Sequence, residues 1–264
     1  MELHGTQIGH GPEPMVFLHG LFGQGKNFAN VAKLLEDRVT CTLLDLPNHG
    51  KSPWNDSFDH DTIAAIVADE LVRRGAAEKP VTLMGHSWGG KVAMRLTLQH
   101  PELVRRLVVE DIAPILQDDS ELQEFHDIVA ALRSTDLTRV QLRADADALL
   151  QDSIGSPLTR SYLLSNLQRT PEGGWRWQLN LDLLATNMAQ IGQWQGLAED
   201  QHWDGPVLWL AGERSWYAAP AHNEAMSSYF PKVRREVIAD AGHWVHWQQP
   251  QEVADTLSHF ITVT

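Results

Sequence analysis

Three residues of this chain stand out as suited to covalent chemistry: a serine between glycines, a histidine among tryptophans, and an aspartate before an Ile-Ala-Pro turn. Gly85-His86-Ser87-Trp88-Gly89 follows the apolar run VTLM and precedes KVAMRLTLQ, which reads as a helix. At such a tight strand-to-helix turn the serine oxygen projects at the helix N-terminus, where it can attack an acyl carbon. A serine that merely caps a helix would show the same five residues; the strand before and the helix after favour the nucleophile.

A serine needs a base, a group to orient that base, and donors for the oxyanion. His243 in Ala241-Gly242-His243-Trp244-Val245-His246-Trp247 is the base, placed between the last strand-like run and the last helical stretch. His246 would form a metal pair with His243 only if a third ligand accompanied them, and none does in sequence, so it is read as a packed residue. Two carboxylates compete to orient the base. Asp111 ends the run LVVED and is preferred, although an aspartate there could simply fill a turn; Glu213, after PVLWLAG, is the alternative. Glu110 is expected to face the other side of the sheet, because adjacent strand residues alternate. His19-Gly20-Leu21-Phe22-Gly23 closes the first core run, and the backbone N–H groups of Leu21 and Trp88 are the expected oxyanion donors, each worth roughly 3 kcal/mol in the transition state. The same stretch contains Gly20-Leu21-Phe22-Gly23-Gln24-Gly25-Lys26, a G-x-x-x-x-G-K pattern. It continues with Asn27 rather than Ser or Thr, so it lacks the magnesium-binding hydroxyl, and Asn27 is read as a helix N-cap.

These side chains need a scaffold. Met15–His19, Thr40–Asp45, Val81–Gly85, Leu107–Asp111 and Pro206–Ala211, with the weaker Arg235–Ala239, are short apolar runs of the kind that form buried parallel strands. Helical stretches alternate with them at Asn27–Glu36, Asp61–Arg74, Lys91–Gln99, Ala219–Tyr229 and Pro250–Phe260. Strict alternation predicts an α/β fold with a mostly parallel sheet and helices on both faces. From Ile115 to about Trp203 no buried strand is evident, and the stretch is too long for a plain loop. It is expected to be an inserted helical cap, residues 115–203, over a core of residues 1–114 and 204–264.

Composition narrows the partners. The 264 residues carry 34 acidic and 21 basic side chains, a formal charge of −13, which repels phosphate backbones and anionic headgroups and argues against nucleic acid. Cys41 is the single cysteine, so no disulfide within the chain is available. No apolar run approaches the roughly 18 residues of a spanning helix, and the start lacks a signal pattern. A cytoplasmic enzyme of small molecules, without membrane insertion, metal or organic cofactor, is the expectation.

Together NHGKSP, GHSWGGK, DIAP and AGHWVHW resemble the α/β-hydrolase superfamily, and within it the branch of small bacterial esterases and thioesterases with their mitochondrial relatives. The resemblance spans nearly the whole chain. It implies Ser87 as nucleophile, His243 as base, Asp111 as acid, and Leu21 with Trp88 as oxyanion donors. Many enzymes of this design carry their acid where Ser215 stands here; in this branch it lies on the DIAP loop. Trp88 departs from the Met or Gln that commonly follows the serine, and ten tryptophans are many for this length. His19, Phe22, Trp175, Trp177 and Trp244 are the candidate pocket residues, and Asp45, Asn48, His49 and Gly50 are read as holding a turn near the site. The implied activity is hydrolysis of carboxylic esters of small, apolar acyl groups through an acyl-enzyme. Thioesterase, lactonase, amidase, C–C hydrolase and perhydrolase chemistry, or a small-ligand receptor, would use the same scaffold.

Overall fold

Alternate residues of each central strand belong to two separate cores. Met15 and Phe17 pack on one face of the sheet while Val16 and Leu18 pack on the other, and Leu208 and Leu210 oppose Val207 and Trp209 in the same way. Strands buried on both faces are what near-continuous apolar runs produce. The computed structural model describes residues 1–117, 120, 122–194 and 201–264.

In chain order the elements are β1 (Gly5–Ile8), β2 (Glu13–Leu18), α1 (Ala29–Leu34), β3 (Val39–Leu44), α2 (His60–Arg73), β4 (Val81–His86), α3 (Trp88–Gln99) and β5 (Val104–Glu110). There follow α4 (Gln123–Ser134), α5 (Arg143–Leu150), α6 (Pro157–Leu164), β6 (Leu167–Arg169), β7 (Trp175–Trp177) and α7 (Leu181–Gly192). The chain closes with β8 (Val207–Gly212), α8 (Asn223–Tyr229), β9 (Val233–Ile238), α9 (Val245–Gln248) and α10 (Pro250–Val263).

Seven strands form one sheet in the order β1-β3-β2-β4-β5-β8-β9, parallel except for β1, which runs antiparallel to β3. From β2 the chain moves outward to β3 and then crosses back to β4 on the other side of β2. The strand order therefore reverses at β2 and β4, and ligands of open α/β sheets bind at the carboxyl ends of strands at such a point. Those ends carry the His19-Gly20 turn and Ser87.

All six expected core strands are present. Two differences have local causes. β1 is a half-exposed edge strand, GTQI, without an apolar run to announce it. α3 starts three residues earlier than expected, at Trp88, because Ser87 is itself the residue before the helix. Asn27 is not a helix N-cap: its side chain turns back to accept from Gln24 N at 2.6 Å, while Lys26 donates to the Ser165 carbonyl.

The stretch between β5 and β8 contains α4 to α7 and a small hairpin of β6 with β7, whose residues are partly exposed and too few to show a strand period. Its buried residues, including Phe125, Leu132, Tyr162, Leu184 and Ile191, join the core on the α2 and α3 side of the sheet. Positions 118, 119, 121 and 195–200 of the expected cap lie outside the described residues.

Candidate active site

Ser87 sits between β4 and α3 with φ 52° and ψ −123°, left-handed backbone that a side chain adopts only under constraint. The flanking glycines allow the turn to close. A Cβ on Gly85 would lie 2.2 Å from the Gly89 carbonyl oxygen, and one on Gly89 would lie 2.3 Å from that of His19. The Ser87 amide donates to the Glu110 carbonyl at 2.9 Å, tying the turn to β5.

His243 lies in the loop between β9 and α9, with its side chain 13% exposed. Its Nε2 is 2.9 Å from Ser87 Oγ and its Nδ1 is 2.8 Å from Asp111 Oδ2. A proton on Nδ1 satisfies the carboxylate and leaves Nε2 to accept from the serine hydroxyl, the tautomer a general base requires. Asp111, fully buried just beyond β5, accepts from Gly212 N on Oδ1 at 2.9 Å and from the Ser215 hydroxyl on Oδ2. These donors compensate a carboxylate taken out of water. Glu213, the alternative acid, is exposed and accepts from Asp240 N at 2.9 Å, away from His243. Alternation along the strand sends Glu110 to the other face, as expected. There it accepts from His246 at its amide (2.6 Å) and its Nδ1 (3.0 Å). Burial pushes the Glu110 carboxyl up to about 7 and holds His246 down at about 3.

The turn after β2 packs directly on Ser87: a Cβ on Gly20 would approach Ser87 Cβ to 3.0 Å. Leu21 and Trp88 both line the cavity at Ser87. Neither of their amides meets a backbone acceptor among the described residues, so both remain available to an oxyanion. The turn is fixed by His19, which accepts from Leu46 N at Nε2 (2.9 Å) and therefore donates from Nδ1 to Gly20 O (2.8 Å). Burial lowers the His19 imidazole to about 4, which keeps it neutral in this role. His19 is thus an anchor of the turn and not a wall of the pocket.

The cavity beside Ser87 measures about 10 Å³, room for one water. Besides Leu21 and Trp88 it is walled by Ile112, Phe125, Ile191 and Tyr217, with Lys91 and Gln117 at its edge. The other expected pocket residues lie elsewhere. Phe22 packs behind the wall, its ring 6.1 Å from that of Phe125. Trp244 packs on Tyr162 with ring centroids 5.2 Å apart, beside His243 but outside the cavity. Trp175 and Trp177 line a separate, open cleft of about 810 Å³ together with Trp54 and Arg133. Their indole N–H groups are spent on the Gln141 and Leu132 carbonyls, which ties the hairpin to neighbouring elements of the stretch between β5 and β8. Trp88 stacks on His49 at 5.5 Å and 28°, and Phe58 packs 5.5 Å away; that packing fixes its indole next to the serine.

Sequence reasoning missed Tyr217, whose ring centroid is 4.1 Å from that of His243, and His86, whose Nε2 donates to the His243 carbonyl at 2.8 Å. His86 was within the serine motif. Tyr217 had no local signal, because it reaches the site only through the sheet order. The Asp45, Asn48 and Gly50 turn is structural, as expected: Asp45 accepts from Gly25 N at 2.8 Å and Lys51 N at 2.9 Å. Among the described residues, no group of three or more His, Cys, Asp or Glu is placed to hold a metal ion, and no helix is long and apolar enough to cross a membrane.

The chain is similar to several known proteins. The chain is 35% identical over 254 residues to the sn-1-specific diacylglycerol lipase ABHD11 of Mus musculus, covering 94% of this chain and 80% of that protein. It is 29% identical to the esterase YbfF of Escherichia coli K12, covering 97% and 96%. A solved structure described as a marine microorganism esterase superposes with a TM-score of 0.92 at 33% identity, covering 98% of this chain and 99% of that one. The α/β hydrolase fold family profile matches residues 13–250, and with the sheet order and the serine turn this establishes that the chain belongs to that family.

Proposed function

We propose that this protein is a serine hydrolase that cleaves carboxylic esters of small, apolar acyl groups through an acyl-enzyme, with Ser87 as nucleophile, His243 as general base and Asp111 as orienting acid. The observation that carries this is the continuous chain Ser87 Oγ, His243 Nε2, His243 Nδ1, Asp111 Oδ2, with links of 2.9 and 2.8 Å, on a strained turn at the reversal of the strand order.

As Ser87 Oγ attacks the carbonyl carbon, its proton moves to His243 Nε2, and Asp111 stabilises the imidazolium while remaining ionised. The carbonyl oxygen gains charge facing the amides of Leu21 and Trp88. Collapse breaks the C–O bond, with His243 returning the proton to the leaving alcohol. Water then enters, His243 removes its proton, and the acid leaves with Ser87 restored. The segment 115–203 serves as a cap that walls the acyl side through Phe125 and Ile191. The largely apolar walls beside Ser87 support an apolar acyl group, and the names of the esterase relatives support an ester leaving group.

Steady-state hydrolysis of p-nitrophenyl esters from acetate upward, beside Ser87→Ala, tests this. Highest kcat/KM at acetate or propionate, lost in the variant, is the expected result. Turnover surviving Ser87→Ala would refute it. Absence of turnover together with absence of fluorophosphonate labelling at Ser87 would favour a small-ligand receptor.

A further inference from the structure

Behind the triad lies a second acid and imidazole that the reaction above leaves unused. Two consecutive carboxylates, Glu110 at the end of β5 and Asp111 just beyond it, diverge, and each meets one histidine of the segment between β9 and α10: Asp111 meets His243, and Glu110 meets His246. Glu110 accepts from the His246 amide at 2.6 Å and from its Nδ1–H at 3.0 Å to each oxygen, and both side chains are fully buried. The turn is held a third time by His86, whose Nε2–H donates to the His243 carbonyl at 2.8 Å. The His86 ring lies 4.8 Å from each of the other two imidazoles, and Phe28 stacks on His246 at 4.1 Å. A buried carboxylate costs stability even when paired, and an apolar pair of similar volume would fill the same space.

We propose that Glu110, acting through His246, is a positioning residue for the general base: it clamps the turn that carries His243, so that Nε2 stays on Ser87 while the imidazole gains and loses its proton. This rests on the assignment of Ser87, His243 and Asp111 above. The groups facing Glu110 are His86 from β4, Asp111 beyond its own strand, His243 and His246 from the turn and α9, and Tyr162 from α6, while His19 at the end of β2 faces His246. Burial holds His86 and His246 neutral, which leaves His243 as the neighbouring imidazole whose charge changes during the reaction.

The test is kcat, KM and the pH dependence of kcat/KM for Glu110→Gln, His246→Asn and His246→Leu in the full chain, with Ser87→Ala and Asp111→Asn as controls. Glu110→Gln is expected to lower kcat on the order of 10- to 100-fold with KM little changed, because small displacements of a catalytic group have effects of that size. The acid limb of its profile is expected to keep its place, because Glu110, pushed up to about 7 by burial, has already shed its charge below that pH. His246→Asn, whose amide nitrogen replaces Nδ1 as donor, is expected to retain more kcat than His246→Leu. A folded Glu110→Gln with the parent kcat, while Asp111→Asn is inactive, would overturn the proposal. Should Glu110→Gln fail to fold, equal kcat in the two His246 variants would overturn it. Turnover persisting in Ser87→Ala would instead remove the serine mechanism, and the proposal with it.

Discussion

Asp111 commits both of its oxygens: Oδ1 to the Gly212 amide, and Oδ2 to His243 Nδ1 and the Ser215 hydroxyl. An amide at this position would present a donor to Nδ1 or force the wrong tautomer, so Asp111→Asn is expected to lower kcat on the order of 10⁴-fold, as in other Ser-His-Asp enzymes. Glu213→Gln, on the far side of the loop, is expected to leave kcat unchanged; the reverse pattern would show that the acid is misassigned. Ser87, His243 and Asp111 were legible in the sequence because each is marked by its own immediate neighbours, whether turn glycines, the GHW turn or the Ile-Ala-Pro turn. The cavity wall was not. Phe125, Ile191 and Tyr217 come from three separate elements and meet only in the folded chain, and no spacing relates them. Tryptophan richness was a poor guide, since Trp175 and Trp177 are drawn to a cleft of their own by the hairpin that carries them.

Among the elements, the turn from β4 into α3 is the least tolerant of change. Gly89→Ala would drive a Cβ into the His19 carbonyl, a backbone atom that cannot swing aside, and is expected to cost about 3 kcal/mol or more in urea unfolding. Unchanged stability would mean that the turn after β2 does not lie against α3 as described. Lys91, one turn into α3, is fully buried and donates to the carbonyls of Ile115 and Gly192 at 3.0 Å, pinning both ends of the stretch between β5 and β8 to the helix that follows Ser87. Lys91→Met would leave those carbonyls without this donor and is expected to destabilise the fold by about 2 kcal/mol, measured by the same unfolding experiment. The strands β2, β3, β4, β5 and β8 were readable as short apolar runs because both their faces are buried, while β9, at the sheet edge with only Ile238 buried, gave the weaker run. β1 and the β6–β7 hairpin were not, because partly exposed strands of three or four residues carry no period.

For the molecule as a whole, acid is the stress the fold is least suited to bear. His19, His49, His60, His86 and His246 are all lowered, chiefly by burial, His19 to about 4 and His49 and His246 to about 3. Below the ordinary imidazole value of 6.5 the unfolded chain binds protons that the folded chain refuses, so their contribution to stability is complete above pH 6.5 and is lost as the pH falls toward 4 and 3. Glu110, raised to about 7, has the opposite sign between 4.5 and 7, but it is one group against five. Urea midpoints are therefore expected to fall steadily from pH 7 to pH 5, and a flat profile would mean that these histidines are not buried neutral. The central claim concerns a covalent bond, and acid-quenched reaction with p-nitrophenyl acetate followed by peptide mass mapping tests it most directly. A single acetyl group on Ser87, absent from Ser87→Ala, is the expected result; steady turnover with Ser87 unmodified at every quench time, or turnover retained by Ser87→Ala, would contradict it.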